Sequence, residues 1–218
     1  MFNGPVIITG TDTGVGKTIA TAALAVALAN QGHTVEAVKL AQTGDDDDAG
    51  TVARLSGVAT KCLAHYPDPL APSVAARRCG QPGMTFDDAY AQVRASEADV
   101  TLIEGAGGLL VPLGQDDWTV ADLAQQLAAP VVVVARAGLG TINHTALTLA
   151  ELDRRSLESF VVIGSWPNRP GIAEYENLHD LPGRRIGCIP EKAGRLAPAA
   201  FQRAAEAWLG QLALARAA

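Results

Sequence analysis

Cysteine is scarce in this chain. Its 218 residues include three, Cys62, Cys79 and Cys188, far apart and without a C-x-x-C pair. An odd, scattered set excludes a disulfide framework and a zinc site and points to reduced cytosolic thiols. No apolar run approaches the roughly 18 residues that a membrane span needs. No basic stretch followed by a long apolar run opens the chain, so a soluble, cytoplasmic protein without a membrane partner is expected. Positive charge is short as well. Lys+Arg number 17 against 23 Asp+Glu, a net charge of −6, which argues against nucleic acid as a partner. Charged residues are only 18% of the chain, and the DDDD run at 45–48 is the one low-complexity tract. No segment reads as disordered or as a linker, and one α/β domain over residues 1–218 is the economical organisation.

Apolar material is plentiful and regularly spaced. Hydrophobic residues make up 48% of the chain and mean hydropathy is +0.15, ample for a core. PVIIT, IATAALAVALANQG and TVEAVKL read as strand, helix, strand. VTLIEG, TVADLAQQLAA, PVVVVARAG, HTALTLAELDRR, FVVIGS and RRIGCI continue the alternation, and a last helix is expected near residues 199–213. Strands that are apolar along their whole length are buried on both faces, as in a parallel sheet, and the helices supply the crossovers. The expected fold class is α/β, with a doubly wound, mostly parallel sheet of the P-loop NTPase kind. The Pro-containing stretch at 59–85, with HYPDPLAPS, is expected to be one long irregular substrate loop.

The first chemical signal is ITGTDTGVGKT, residues 8–18. It follows an apolar strand and opens a helix, the context that a phosphate-binding loop needs. Backbone N–H groups of Thr13, Gly14, Val15 and Gly16 and the helix N-terminus make an anion cradle. Lys17 is placed to reach β- and γ-phosphates, and Thr18 to offer its hydroxyl to Mg²⁺. The spacing departs from G-x-x-x-x-G-K-[ST] by one residue: the first glycine is Gly10, and Thr11 occupies the strict glycine position.

Three further clusters fall at strand ends, where open α/β sheets bind ligands. VKLAQTG ends the second strand in Lys39, expected to face the same crevice as Lys17. A lysine buried there is costly unless it meets an anion; the bland alternative is a side chain snorkelling to solvent. DDDD at 45–48 reads as a solvated turn and helix N-cap from which one carboxylate can bind magnesium. VTLIEGAGG ends an apolar strand in Glu104, placed to face a metal. Gly105, Gly107 and Gly108 then let backbone approach a ligand closely. ARAGLGTINHT, residues 135–145, turns a strand end into a helix start whose N–H groups suit a carboxylate or phosphate. His144 on its first turn reads as a packing or capping residue.

Taken together, these segments resemble dethiobiotin synthetases. The resemblance rests on GTDTGVGKT, K-x-x-Q-T-G at 39–44, EGAGG at 104–108, LGTINHT at 139–145, AEYENL at 173–178 and GCIP at 187–190. They occur in the family's order across nearly the whole chain, with the shifted glycine in the family's own form. The resemblance implies an ATP- and Mg²⁺-dependent cyclo-ligase of biotin synthesis. In that reaction 7,8-diaminononanoate takes up CO₂ (bicarbonate) as a carbamate and the γ-phosphate of ATP is transferred to it. The second amine then closes a ureido ring and phosphate leaves. Catalytic roles are implied for Lys17, Lys39, Thr13 and Thr43. Nucleotide contacts are implied for residues 13–18, Glu104, Gly105, Gly107, Gly108 and Pro190, and metal ligation for Thr18, Asp48 and Glu104. Lys39 and Thr43 would also contact the substrate. The family is homodimeric, and the substrate carboxylate of one protomer reaches a helix start of the other. Gly140, Thr141, Ile142 and Asn143 match that helix start, with Tyr175 nearby.

The chain departs from the family pattern at three points. Ser73 follows Pro72 where many members have histidine. Asn168 in GSWPNRPG falls several residues beyond the asparagine that reads adenine, which admits other nucleoside triphosphates. Leu40 replaces the usual proline. The nearest rival reading is a ParA/MinD-like switch ATPase, which shares the fold and acts on membrane or DNA. Its loop carries an extra lysine, typically KGGxGKT, where this chain has Thr11-Asp12-Thr13. AWLGQLALARAA also lacks the character of a basic amphipathic C-terminal helix.

Overall fold

A computed structural model describes residues 2–210. The chain begins with β1 (Gly4–Gly10), α1 (Lys17–Asn30), β2 (Val35–Lys39), the two-residue β3 (Gln42–Thr43) and α2 (Asp48–Ser56). β4 (Ala59–Cys62), β5 (His65–Tyr66), α3 (Pro72–Arg78) and α4 (Phe86–Arg94) lead to β6 (Val100–Gly108) and α5 (Val120–Leu127). β7 (Val131–Ala135), α6 (Thr141–Arg154), β8 (Ser159–Trp166), α7 (Ile172–Asp180), β9 (Arg185–Pro190) and α8 (Pro198–Trp208) complete it. Seven strands form one sheet in the order β4-β2-β6-β1-β7-β8-β9, every pair parallel. β3 and β5 pair in a separate small sheet.

Strand alternation sends neighbouring side chains into two cores. Val6 and Ile8 of β1 meet α1, with Val52 and Leu55 of α2 and Phe201 and Ala205 of α8. Ile7 points the other way, toward Ala89 and Val93 of α4, Val120 and Leu123 of α5 and Leu152 of α6. Helices on both faces make the sheet doubly wound, as the sequence predicts. α1 is buried without interruption from Ala20 to Leu28. It lies against the sheet and beneath α2 and α8. Its run of alanines lets three layers approach closely, and a helix apolar on every side belongs in such a place. The order of strands creates the crevice. From β1 the chain moves to β2 and β4, returns to β6, then crosses β1 to reach β7, β8 and β9. Ligands of open sheets bind outside the carboxyl ends of the strands at such a switch point.

Residues 59–85 are not the irregular loop expected from their prolines. They hold β4, β5 and α3, which packs Ala75 and Ala76 against Tyr66. β4 is an edge strand with partly exposed side chains, so it has no apolar run to reveal it. β5 is too short for a period to show. The last helix ends at Trp208, and residues 211–213 of its expected span lie outside the described residues, as does most of AWLGQLALARAA. Among the described residues no helix is long and apolar enough to cross a membrane.

Candidate active site

The loop between β1 and α1 explains its own spacing. A Cβ on Gly10 would stand 2.8 Å from Val15 Cγ2 and 2.9 Å from the Asp12 carbonyl oxygen, so the crowded position is 10. Thr11 instead prolongs the strand, donating its N–H to Val134 O at 3.0 Å, and a side chain is tolerated there. At the far end of the loop Gly16 has φ 100°, and a Cβ would meet Gly164 O of β8 at 2.6 Å. The loop is therefore clamped between β7 and β8. Inside it, Lys17 Nζ donates to Asp12 O at 3.1 Å.

The remaining charges are delivered by strand register. β2 and β6 run parallel with Lys39 opposite Glu104. Ala37 and Leu102, two residues earlier, point to the α1 side, so Lys39 and Glu104 do too. One turn of α1 places Thr18 and Thr21 against them. Lys39 Nζ lies 2.8 Å from Glu104 Oε1, 2.5 Å from Asp48 Oδ2 and 3.2 Å from Gly105 O. The Thr18 hydroxyl lies 2.7 Å from Asp48 Oδ1 and 3.1 Å from Glu104 Oε1, and the Thr21 hydroxyl 2.9 Å from Glu104 Oε2. The aspartate run divides its labour. Asp47 caps α2, accepting Gly50 N–H at 2.8 Å, and the next residue, Asp48, turns inward. The buried amide of Gln42 accepts Asp48 N–H at 3.2 Å. These groups surround a cleft of about 310 Å³, lined by Thr13, Gly14, Gly16, Lys17, Thr18, Lys39, Thr43, Asp48, Glu104 and Gly107 together with Ile19, Ala41, Gln42, Asp46 and Ala106.

Two lysines at 7% and 6% exposure share this cleft, and their environments differ. Burial pushes Lys17 below the ordinary lysine value and the Lys39 ammonium pushes it further, only partly offset by Glu104, Asp48 and Asp12. Burial acts on Lys39 in the same direction, but Glu104 and Asp48 hold it above the ordinary value. Burial raises Asp48, yet Lys39 and the Thr18 hydroxyl bring it below the usual carboxylate range. Lys39 thus has internal anions, whereas Lys17 has only a carbonyl. A buried ammonium is stabilised by an anion, and a phosphate oxygen in the loop would serve Lys17 in that way.

Some expected site residues lie apart from the cleft. Val15 buries its side chain in the core, leaving only its backbone to the loop. Gly105 and Gly108 flank the cleft without lining it, and Pro190 pairs with Trp166 at the end of β9. Gly140, Thr141, Ile142, Asn143 and Tyr175 are outside the cleft of this chain. Thr141 is fully buried, 3.5 Å from Thr145 across their hydroxyls; Ile142, Asn143 and His144 are exposed. Asn177 Nδ2 donates to Ala137 O and Gly138 O at 2.7 and 3.1 Å, tying α7 to the turn before α6. Tyr175 meets Trp166 edge to face. Sequence reasoning missed Thr21, Gln42, Gly164 and Arg136. Thr21 stands three residues after Thr18 on a helix, and Gln42 lies inside K-x-x-Q-T-G, so both were within reach.

A family described as an AAA domain matches residues 5–197. The ATP-dependent dethiobiotin synthetase BioD of Rhodococcus jostii (strain RHA1) is 50% identical, over 93% of this chain and 93% of its own length. That of Streptomyces coelicolor (strain ATCC BAA-471 / A3(2) / M145) is 50% identical, over 93% and 90%. The chain belongs to the dethiobiotin synthetase family. Solved structures carry the fold further afield. The septum site-determining protein MinD from Pyrococcus horikoshii OT3, complexed with Mg-ADP, superposes with a TM-score of 0.59 at 19% identity over 93% of this chain and 95% of that one. Cell division protein FtsY from Thermotoga maritima gives 0.54 at 15%, over 94% and 68%. These distant likenesses show the P-loop fold. The switch-ATPase rival shares it, but the close relatives by sequence are dethiobiotin synthetases.

Proposed function

We propose that the chain is an ATP-dependent cyclo-ligase that forms the ureido ring of dethiobiotin from 7,8-diaminononanoate, CO₂ and ATP. The observation that carries this reading is the pair of buried lysines, one from the loop and one from the end of β2, that share a cleft with Thr18, Asp48 and Glu104. A carbamate attacking a triphosphate brings anion to anion, and two ammonium groups in a shielded cleft favour that approach. The loop N–H groups of residues 13–18 hold the phosphates, and Lys17 exchanges Asp12 O for a phosphate oxygen. A hydroxyl and two carboxylates are hard oxygens of the number magnesium takes alongside phosphates. Thr18, Asp48 and Glu104 would hold Mg²⁺, which supplies charge neutralisation on the triphosphate. Lys39, Thr13 and Thr43 orient the carbamate. Its oxygen bonds to the γ-phosphorus as the bond to ADP breaks. The second amine then attacks the carbamoyl carbon, the C–N bond closes the ring, the C–O bond to phosphate breaks, and the amine proton leaves with phosphate. Gly105, Gly107, Gly108 and Pro190 border the nucleotide.

The second part of the reading is a homodimer, in a cytoplasmic protein of one domain with neither nucleic acid nor membrane as partner. Leu139, Ile142, Leu147, Ile172 and Tyr175 are exposed around the start of α6 and along α6 and α7. Large exposed apolar side chains in these neighbouring segments support an interface. The N-terminus of α6, with Gly140 to Asn143, would receive the substrate carboxylate across it. The deciding assay supplies diaminononanoate, bicarbonate, Mg²⁺ and each nucleoside triphosphate in turn, and follows dethiobiotin by mass and phosphate release. Product that requires all components is expected, with at least about 100-fold loss on chelating the metal. ATP turnover that ignores the diamine and rises with DNA or lipid would install the switch reading instead.

A further inference from the structure

We propose that Arg136 is a positioning residue of the phosphate loop and acts through Asp12. β1 and β7 are in register with Gly10 opposite Val134. Two residues beyond that pair, each just past the end of its strand, stand Asp12 and Arg136, and Arg136 Nη2 donates to Asp12 Oδ2 at 2.5 Å. Asp12 Oδ1 accepts Thr13 N–H at 2.7 Å, and the Asp12 carbonyl accepts Lys17 Nζ at 3.1 Å. One residue therefore joins the strand end, the loop backbone and the phosphate-seeking lysine. Its carbonyl is the one that crowds Gly10, so the direction of the Asp12–Thr13 peptide sets the loop's inner wall.

Charge alone gives no reason for a carboxylate at this place, since a second anion beside a phosphate is unfavourable. The two side chains are 42% and 51% exposed, where an ion pair adds little to global stability. What remains is geometry: Arg136 holds Asp12, and Asp12 holds the loop. The Arg136 Nε is buried without a hydrogen-bond partner, so the guanidinium is oriented by Asp12 rather than by a web of its own.

The inference rests on the reading of the loop as a nucleotide site, and Mg²⁺ with a non-hydrolysable ATP analogue, titrated calorimetrically, tests both separately. Arg136→Met and Asp12→Asn should each weaken the analogue about tenfold. The double variant should be no weaker than either single, because the two act as one unit. Arg136→Lys should recover part of the loss, and the KM for the diamine should stay put. Simple attraction between Arg136 and phosphate makes the opposite prediction for one member: Asp12→Asn, which removes a negative charge, would tighten binding. That outcome, or wild-type affinity in Arg136→Met, overturns the inference. A wild-type protein that does not bind the analogue overturns the nucleotide reading itself. Thermal unfolding of each variant reports that it is folded.

Discussion

Lys17 is a buried cation with no carboxylate in contact, and this has a sign that can be measured. Its proton is held less tightly in the folded chain than in the unfolded one. At neutral pH the charged lysine therefore works against folding. Stability is recovered as pH rises through the window between its lowered pKa and the ordinary lysine value. Nucleotide affinity runs the other way, falling as Lys17 loses its proton. Removing Lys39 removes a charge that depresses Lys17 and leaves Asp48 and Glu104 free to raise it. We predict that Lys39→Met moves the alkaline limb of nucleotide binding to higher pH, and lowers ligase turnover at least about 100-fold with the fold intact. Calorimetric titration across pH checks the limb, and an unmoved limb would refute the coupling. Thr21→Val should cost about 1–2 kcal/mol in urea unfolding, because Glu104 Oε2 loses its hydroxyl donor in a buried place. At this scale the sequence was legible where an apolar strand run meets a charge: Lys39 ends β2, whereas Glu104 lies inside β6, which runs on to Gly108 instead of stopping at the acid as expected. Arg136 was not, because its partner Asp12 lies 124 residues away and nothing local announces the meeting.

Among elements, β8 and the phosphate loop touch backbone to backbone. A Cβ on Gly164 would lie 2.0 Å from Val15 O and 2.5 Å from Val134 Cγ1. Gly164→Ala should therefore push the loop off its seat, costing about 1–3 kcal/mol in denaturant unfolding and weakening the ATP analogue in the same variant. Unchanged affinity would mean that the seat is not needed to shape the loop. Most elements were readable because their apolar runs are long. FVVIGS reads directly as β8, yet not as the floor of the loop, since a glycine near a strand end says nothing of what rests on it. The stretch 59–85 failed for the reverse reason: β4 sits at the sheet edge, β5 has two residues, and prolines stand among them. In α2 the tetra-aspartate run resolves only in three dimensions, where cap geometry assigns Asp47 to the helix and so Asp48 to the cleft.

For the whole molecule the cleft is one half of the expected site. Gly140 to Asn143 and Tyr175 lie outside it, among exposed apolar side chains. Ile142→Asp should shift sedimentation from dimer toward monomer and raise the KM for the diamine more than that for the nucleotide; a sedimentation profile like the wild type's would remove Ile142 from the interface. The fold class and the order of clusters along the chain were legible in one sequence, but the surface proposed for a second copy shows only as apolar residues with no core to enter. The contact of Lys39 with both Asp48 and Glu104 has a further consequence at this scale. The protein carries its own exchangeable counter-ion, tethered by four methylenes, between the two carboxylates proposed for the metal. If Asp48 and Glu104 hold a divalent ion, one arriving alone would have to displace Lys39, whereas one arriving with a triphosphate would bring an anion to receive it. Metal entry and release of the lysine toward substrate would then be a single exchange. Prediction: Mn²⁺ titrated without nucleotide, followed by electron paramagnetic resonance, binds Lys39→Met more tightly than the wild type, and nucleotide narrows that gap.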